Sequence, residues 1–571
     1  MTPLAFTEAA LAADHAHADP AIWITRLPDD AVLAQARKLQ NDGPCGRPLW
    51  GVPFAVKDNI DVAGLPTTAA CPAYAYTAQA NAPAVQRLLD AGALLLGKTN
   101  LDQFAAGLVG TRTPYGVPRN LFDPLRVPGG SSSGSGCAVA AGIVRFAIGT
   151  DTAGSGRVPA AFGNIVGLKP TLGSVPTRGV VPACRSVDTV SVFGRSVDEC
   201  LAVLRLMAGD DPDDPYARSA PFPHLRRAAV PPQGRVAMAD VAEFCEPQTQ
   251  VRYQAAAQYL RAETVDIALF LDIARLLYDG PWVAERTAVL RSVLEEQSDI
   301  LYPATREILL SGFDRRSVDA FDAFHRLAEA KRAARDLFSR YDALLLPTAP
   351  FCPTLAAVQA DPIGLNKHLG TFTNFVNLCD LAGYAVPAGF GADGMPVGVM
   401  LLGPAWSEGR LAGLADQLHR QFATTAGATG QVLPAAAAAN PLAAEETALF
   451  CVGAHMAGLS LNHEITALGG RFLRAARTQP IYRLHALGDR PGMIRSTDGG
   501  AIEGEIWALP AAALGALLDR VSPPVGIGGV MVEEGPCLGF LAEAAGVSGA
   551  PDITRFGGWR AWLQVNGKSA I

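Results

Sequence analysis

PAVQRLLDAGALLLGKT, residues 83–99, is the stretch whose pattern decides the fold class. Val85, Leu88 and Leu89 recur at helical spacing, Ala91-Gly92 ends the helix, and Ala93 to Leu96 reads as a short buried strand. A helix that hands over directly to an apolar strand is the unit of an α/β layer structure. The alternation returns at FSRYDALLLP, residues 338–347, and at MPVGVMLL, residues 395–402, while residues 254–343 read as largely helical. The expected architecture is therefore α/β, with a sheet covered by helices.

The 571 residues are 49% hydrophobic and only 18% charged, which excludes a mainly disordered chain and supplies material for large cores. Lys and Arg number 47 against 54 Asp and Glu, and the resulting net charge of −7 disfavours a nucleic-acid scaffold. None of the ten cysteines forms a C-x-x-C pair, so they read as buried thiols of a reducing compartment. The opening MTPLAFTEAALAADHAHADP lacks a basic leader region and carries Asp14 and Asp19, and no apolar run is long enough to span a membrane. The expected compartment is the cytoplasm. Residues 423–447, ATTAGATGQVLPAAAAANPLAAEET, are small, proline-containing and almost uncharged, as a linker would be. They divide the chain into a large part, 1–422, and a small part, 448–571, each big enough for its own core.

Two motif matches mislead. Gly92 to Thr99 satisfies the phosphate-loop pattern G-x-x-x-x-G-K-T, yet its Ala-Leu-Leu-Leu is strand rather than a turn that aims N–H groups at phosphates. Lys98 is accordingly expected to be a strand-end charge. Gly130 to Gly134 satisfies G-x-S-x-G, but a Pro-Gly turn precedes it instead of the strand that a nucleophile elbow requires, and no histidine of the large part stands in a triad context.

Three other segments carry chemistry together: GVPFAVKDN at 51–59, PGGSSSGSG at 128–136 and GTDTAGSGRVP at 149–159. The first sets Lys57 at the end of an apolar run, where low dielectric disfavours the ammonium and leaves a neutral amine that can act as a base. The second is a flexible Ser/Gly run, whose bland reading as a solvated linker is countered by the company it keeps. The third offers the N–H groups of Thr152, Ala153, Gly154 and Ser155 in a tight turn, which is what an oxyanion hole needs. Asp151 and Arg157 read as braces of that turn, and Ser132, Ser133 and Ser135 as turn formers and helix caps.

The three segments resemble the amidase signature family across most of residues 20–420. Ala153 and Gly156, where the family more often has Gly and Ile, together with NLDQFAAGLVGTRTPY at 100–115, resemble its allophanate hydrolase branch. The resemblance implies a mixed sheet covered by helices, with Ser155 as nucleophile, Ser131 as a bridging serine after a cis Gly130-Ser131 bond, and Lys57 as base. It further implies Thr152, Ala153 and Gly154 as the oxyanion hole, with no metal or cofactor. In that branch a Tyr and an Arg spaced as in LYDGPWVAER, residues 277–286, contact the substrate, which makes Tyr278 and Arg286 the implied partners of an anionic ligand.

The small part extends the resemblance. FCVGAHMAGLSLN at 450–462 and PIYRLHAL at 480–487 are similar to the carboxy-terminal domain of that branch, a smaller α+β unit of γ-glutamyl-cyclotransferase-like fold. His455 is the candidate for proton handling there, with Arg495 and Glu505 as further polar candidates. The implied activity is hydrolysis of allophanate to ammonia and N-carboxycarbamate, whose decarboxylation the small domain promotes during urea degradation. The implied partners are an upstream urea carboxylase and a second copy of the chain, with no nucleic acid and no membrane. A generic amidase, a glutamine-amide donor subunit for transfer-RNA amidation, and a catalytically inactive amidase-like scaffold stand as the alternatives. The tail, Tyr278 and Arg286 speak against the first two of these.

Overall fold

Alternation along two neighbouring strands builds the large domain from both sides. On Pro53–Lys57 and Phe146–Asp151, the side chains of Phe54, Val56, Phe146 and Ile148 enter one core, while Ala55 and Ala147 enter another. Phe54 and Phe146 stack with ring centroids 5.3 Å apart. The first core receives Val85 and Leu88, Leu201 and Leu204, and Leu411 and Leu418 from the helices Pro83–Asp90, Val197–Met207 and Glu408–Phe422. The second takes the Gly- and Ala-rich helix Ser133–Ala140, whose close seating on the sheet the small Ala55 and Ala147 permit.

The computed structural model describes residues 1–567. Among them, eleven strands form one mixed sheet whose central order is Leu94–Thr99, Pro53–Lys57, Phe146–Asp151, Thr189–Gly194, Val166–Lys169, Leu381–Phe390, Pro396–Pro404 and Ala343–Pro347. Pro53–Lys57 runs parallel to both neighbours, whereas Phe146–Asp151 is antiparallel to Thr189–Gly194. The carboxyl ends of the parallel strands therefore open side by side, a place where α/β sheets bind ligands. Lys57 and the turn after Asp151 stand there.

The strand of the deciding stretch runs Leu94–Thr99, further than its apolar core, and Lys98 lies inside it, fully buried. It stands next to last in the strand, near its end as expected, and its charge is paired inside the protein. Its Nζ sits 3.2 Å from Asp58 Oδ1 and donates to Pro66 O and Thr67 Oγ1, because both faces of this strand are covered and the ammonium must find partners within the protein.

Beyond Glu408–Phe422 the chain forms no helix or strand until Glu446–Cys451, which opens inside the segment expected to link the two parts. The intervening residues are docked, since Gly427 N donates to Asn164 O, Ala428 N to Ala140 O and Asn440 N to Arg227 O. The small domain is a five-stranded sheet ordered Arg471–Arg477, Glu503–Pro510, Glu446–Cys451, Gly535–Ala542 and Val525–Val532. Its separate core holds Phe450, Trp507 and Trp559. Arg471 pins the junction through a buried ion pair with Glu446 and donors to Asn440 O and Pro441 O.

Candidate active site

Lys57 ends its strand with no exposure to solvent. Its Nζ makes 2.7 Å hydrogen bonds to Ser131 Oγ and to Thr150 Oγ1. Burial lowers its pKa to about 7, against the opposing pull of Asp102, Asp188 and Asp151. A neutral amine carries one lone pair beside its N–H donors, so it can donate to Thr150 while accepting from Ser131.

Ser131 reaches this position from a backbone turn packed into the Asp102 loop. The Gly130-Ser131 peptide is cis. A Cβ at Gly130 would lie 2.1 Å from Asp102 Oδ2 and 2.5 Å from Gly110 N, so only glycine fits. Asp102 Oδ2 and Oδ1 accept from Gly110 N and Arg112 N, and Asp102 N donates to Ser131 O, which locks the 100–115 segment against the serine. The serines that follow do not cap the helix Ser133–Ala140. Ser132 Oγ donates instead to Thr150 O and Ser135 Oγ to Ile148 O, so these buried hydroxyls are satisfied by carbonyls of the adjoining strand.

The turn after Phe146–Asp151 is organised by one carboxylate. Asp151 Oδ1 accepts from Gly154 N and Oδ2 from Gly156 N, while Arg157 contacts both oxygens at 2.9 Å. Burial opposes its ionisation, yet Arg157 holds its pKa below the usual carboxylate range. The bracing read from Asp151 and Arg157 is thus present. Gly154, expected in the oxyanion hole, has its N–H committed to Asp151, whereas the N–H groups of Thr152, Ala153 and Ser155 have no protein acceptor among the described residues. Gly154 adopts φ +128°, and a Cβ there would meet Thr373 Oγ1 at 2.5 Å. Ser155 is buried, and its hydroxyl forms no hydrogen bond to a protein group, Ser131 included, among the described residues.

Arg286 and Tyr278 meet each other. The guanidinium lies over the phenol ring, 4.8 Å from its centroid. Arg286 is 1% exposed, and none of its three nitrogens, nor the Tyr278 hydroxyl, has a hydrogen-bond partner among the described residues. Burial works against the charge, but Tyr278, Cys184, Asp188 and Glu285 hold the Arg286 pKa above its ordinary value. An unpaired buried guanidinium costs several kcal/mol, on the order of a buried unsatisfied ion, unless a ligand completes it. A cavity of about 230 Å³, lined by Tyr278, His368, Thr371 and Asn374, lies against the Tyr278 side of the pair. Asp188 connects this region to the nucleophile turn. It accepts from Thr152 Oγ1, Ala183 N and Cys184 N, and burial raises its pKa to about 6.

Thr150, Asp188, Thr373 and Asn377 escape a reading of the sequence. Asn377 Oδ1 accepts from Arg157, and its Nδ2 donates to Asp151 O and Val187 O.

In the small domain, His455 Nε2 is 3.0 Å from Glu464 Oε2, and the imidazole stacks on Phe540 at 4.5 Å. Burial lowers its pKa despite that carboxylate. Glu505 is buried and bound by Arg560, Ala457 N and Trp507 Nε1, which commits its oxygens to structure. Arg495 is exposed and donates to Gly529 O.

The pattern of the Amidase family matches residues 5–412, and that of the allophanate hydrolase C-terminal domain matches residues 447–564. A urea amidolyase of Saccharomyces cerevisiae is 38% identical across 95% of this chain, which spans only 31% of that protein. A urea amidolyase of Lachancea kluyveri is 37% identical, again across 95% of this chain and 31% of its own length. The solved structure of selenomethionine-substituted Kluyveromyces lactis allophanate hydrolase superposes with a TM-score of 0.76 at 36% identity, covering 99% of this chain and 97% of that one.

Proposed function

The chain belongs to the amidase family, and on that premise we propose that it hydrolyses the terminal amide of allophanate, using Ser155 as nucleophile, Ser131 as relay and Lys57 as base. Ser155 attacks the amide carbonyl as its proton passes through Ser131 to the neutral Lys57 amine. The tetrahedral oxyanion is met by the free N–H groups of Thr152 and Ala153. The proton returns through the same relay to the departing nitrogen, ammonia leaves, and a water activated by the relay deacylates Ser155 to release N-carboxycarbamate.

The observation that carries this reading is the orphaned Arg286–Tyr278 pair, within electrostatic reach of Asp188, which in turn holds Thr152 of the nucleophile turn. A buried guanidinium that no protein carboxylate hydrogen-bonds is suited to a substrate that brings one, and allophanate is urea bearing a carboxylate. A glutamine-amide donor site has no such demand in this position, and an inactive scaffold would have no reason to keep the Lys57 amine poised between two hydroxyls. Continuity of the match through the second domain supports a further step, in which the small domain, 448–571, promotes loss of carbon dioxide from N-carboxycarbamate with His455 moving the proton. The chain then divides into an amidase domain over 1–422, a docked connector over 423–447 and this second domain.

By the same reading a urea carboxylase supplies the substrate, the compartment is the cytoplasm and the assembly is a homodimer. All ten cysteines are free thiols, and no helix among the described residues is long and apolar enough to cross a membrane. Val318, Phe321 and Phe324 on the helix Ser317–Phe338 are each more than half exposed, which supports a protein contact there. The test is product analysis with the purified chain offered allophanate, its neutral isostere biuret, and glutamine. Ammonia chiefly from allophanate supports the proposal; a preference for glutamine overturns it.

A further inference from the structure

Arg286 sits one residue beyond Glu285 on the helix Trp282–Val289, and the Glu285 carboxylate spends its hydrogen bonds on the 183–188 loop rather than on the guanidinium. Its Oε1 accepts from Ser186 N at 2.7 Å, and its Oε2 accepts from Ser186 Oγ at 2.6 Å and from the Cys184 thiol at 3.1 Å. The loop it grips, residues 183–188, is fastened at its other end to the nucleophile turn. Asp188 holds Thr152 Oγ1, and Asn377 Nδ2 bridges Val187 O to Asp151 O. A set of hydrogen bonds therefore runs from the helix that carries Arg286, through the 183–188 loop, to Asp151 and Thr152 at the start of the nucleophile turn.

We propose that Glu285 is a positioning residue for substrate selection: by clasping Ser186 and Cys184 it fixes the distance between the Arg286 guanidinium and the Ser155 turn, so that a carboxylate on the first places the scissile amide at the second. This inference rests on the proposed reading of Arg286. The reason it needs a clasp is mechanical. The helix Trp282–Val289 is only eight residues long and has no side-chain cap at its start; Thr287 Oγ1 fastens it to Leu309 O, and Glu285 fastens it to the 183–188 loop. A guanidinium with no protein partner among the described residues also has nothing of its own to hold it in register. Small errors of placement in such a site cost rate steeply. Glu285 is itself only half-buried and touches no reacting atom, so its effect passes through Arg286.

The experiment compares allophanate with biuret, in which a neutral carboxamide replaces the carboxylate, in wild type, Glu285→Ala, Glu285→Gln and Ser186→Ala, with melting temperatures taken alongside. The expected result is a KM for allophanate raised about tenfold in Glu285→Ala, kcat and the biuret kcat/KM changed less than about twofold, and partial recovery in Glu285→Gln, which keeps one acceptor oxygen. Ser186→Ala, at an exposed residue, is expected to move allophanate KM in the same direction even if Glu285→Ala is poorly folded. Equal losses on both substrates, or no change in selectivity in either variant, overturn the positioning role. Wild-type enzyme with no preference for allophanate over biuret overturns the Arg286 reading and this inference with it, so the two failures are told apart by the wild-type measurement.

Discussion

Lys57 Nζ and Ser131 Oγ lie 2.7 Å apart in a site closed to solvent, and the amine is held there by a second hydroxyl, Thr150. Because burial lowers the Lys57 pKa to about 7, the base form is present at neutral pH, whereas an ordinary lysine would be almost wholly protonated. In the proposed mechanism the working form is the unprotonated one. The kcat/KM for allophanate is therefore expected to fall about tenfold per pH unit below 7 and to level off above it, as read from initial ammonia release across about pH 5 to 10. A limb that keeps rising to pH 10 would mean that this amine titrates as a solvated lysine does.

Arg286 is buried without a hydrogen-bond partner among the described residues, so removing it leaves no stranded carboxylate behind. Arg286→Ala is expected to lower kcat/KM for allophanate by about 10²-fold, the scale of a lost charge-assisted contact, while biuret hydrolysis changes far less. Steady-state kinetics on both substrates check this. Parallel losses would assign the residue to general stability of the site.

Gly130 faces Asp102 at a separation that admits no side chain. Gly130→Ala should force the Ser131 backbone away from Lys57, costing roughly 1–3 kcal/mol of stability as overpacking does and removing most activity. Denaturant unfolding and ammonia assays read the two effects. An active and undiminished variant would mean that the Asp102 loop gives way easily.

His455 belongs to another domain than Ser155 and stands against Glu464 and Phe540. His455→Ala is expected to leave ammonia release unchanged while slowing carbon dioxide release, so that N-carboxycarbamate accumulates transiently. Carbon-13 NMR of the products follows both. Equal slowing of the two steps would detach His455 from decarboxylation.

Much of the α/β layering is legible in the sequence, because apolar periodicity reports which faces are covered, as at residues 83–99. Lys57, Ser131 and the Asp151–Gly156 turn are legible because each lies in a short segment whose composition makes sense only near chemistry. The commitment of Gly154 N–H to Asp151 has a local signal, an acidic residue three positions before a glycine, where side-chain-to-backbone turns are common. Asp188, Asn377 and Glu285 are not legible. Each acts across long stretches of the chain, and only the folded sheet brings Asn377 to Asp151 or Glu285 to Ser186. The burial and pairing of Lys98 are illegible for the same reason, since its partner Asp58 comes from a neighbouring strand's end.

Ammonia release from allophanate by Ser155→Ala, set beside wild type, bears most directly on the hydrolytic account. Loss of the hydroxyl should remove covalent catalysis and reduce the rate by about 10³-fold or more, with the fold intact. Turnover at the wild-type rate in a correctly folded Ser155→Ala protein would contradict it.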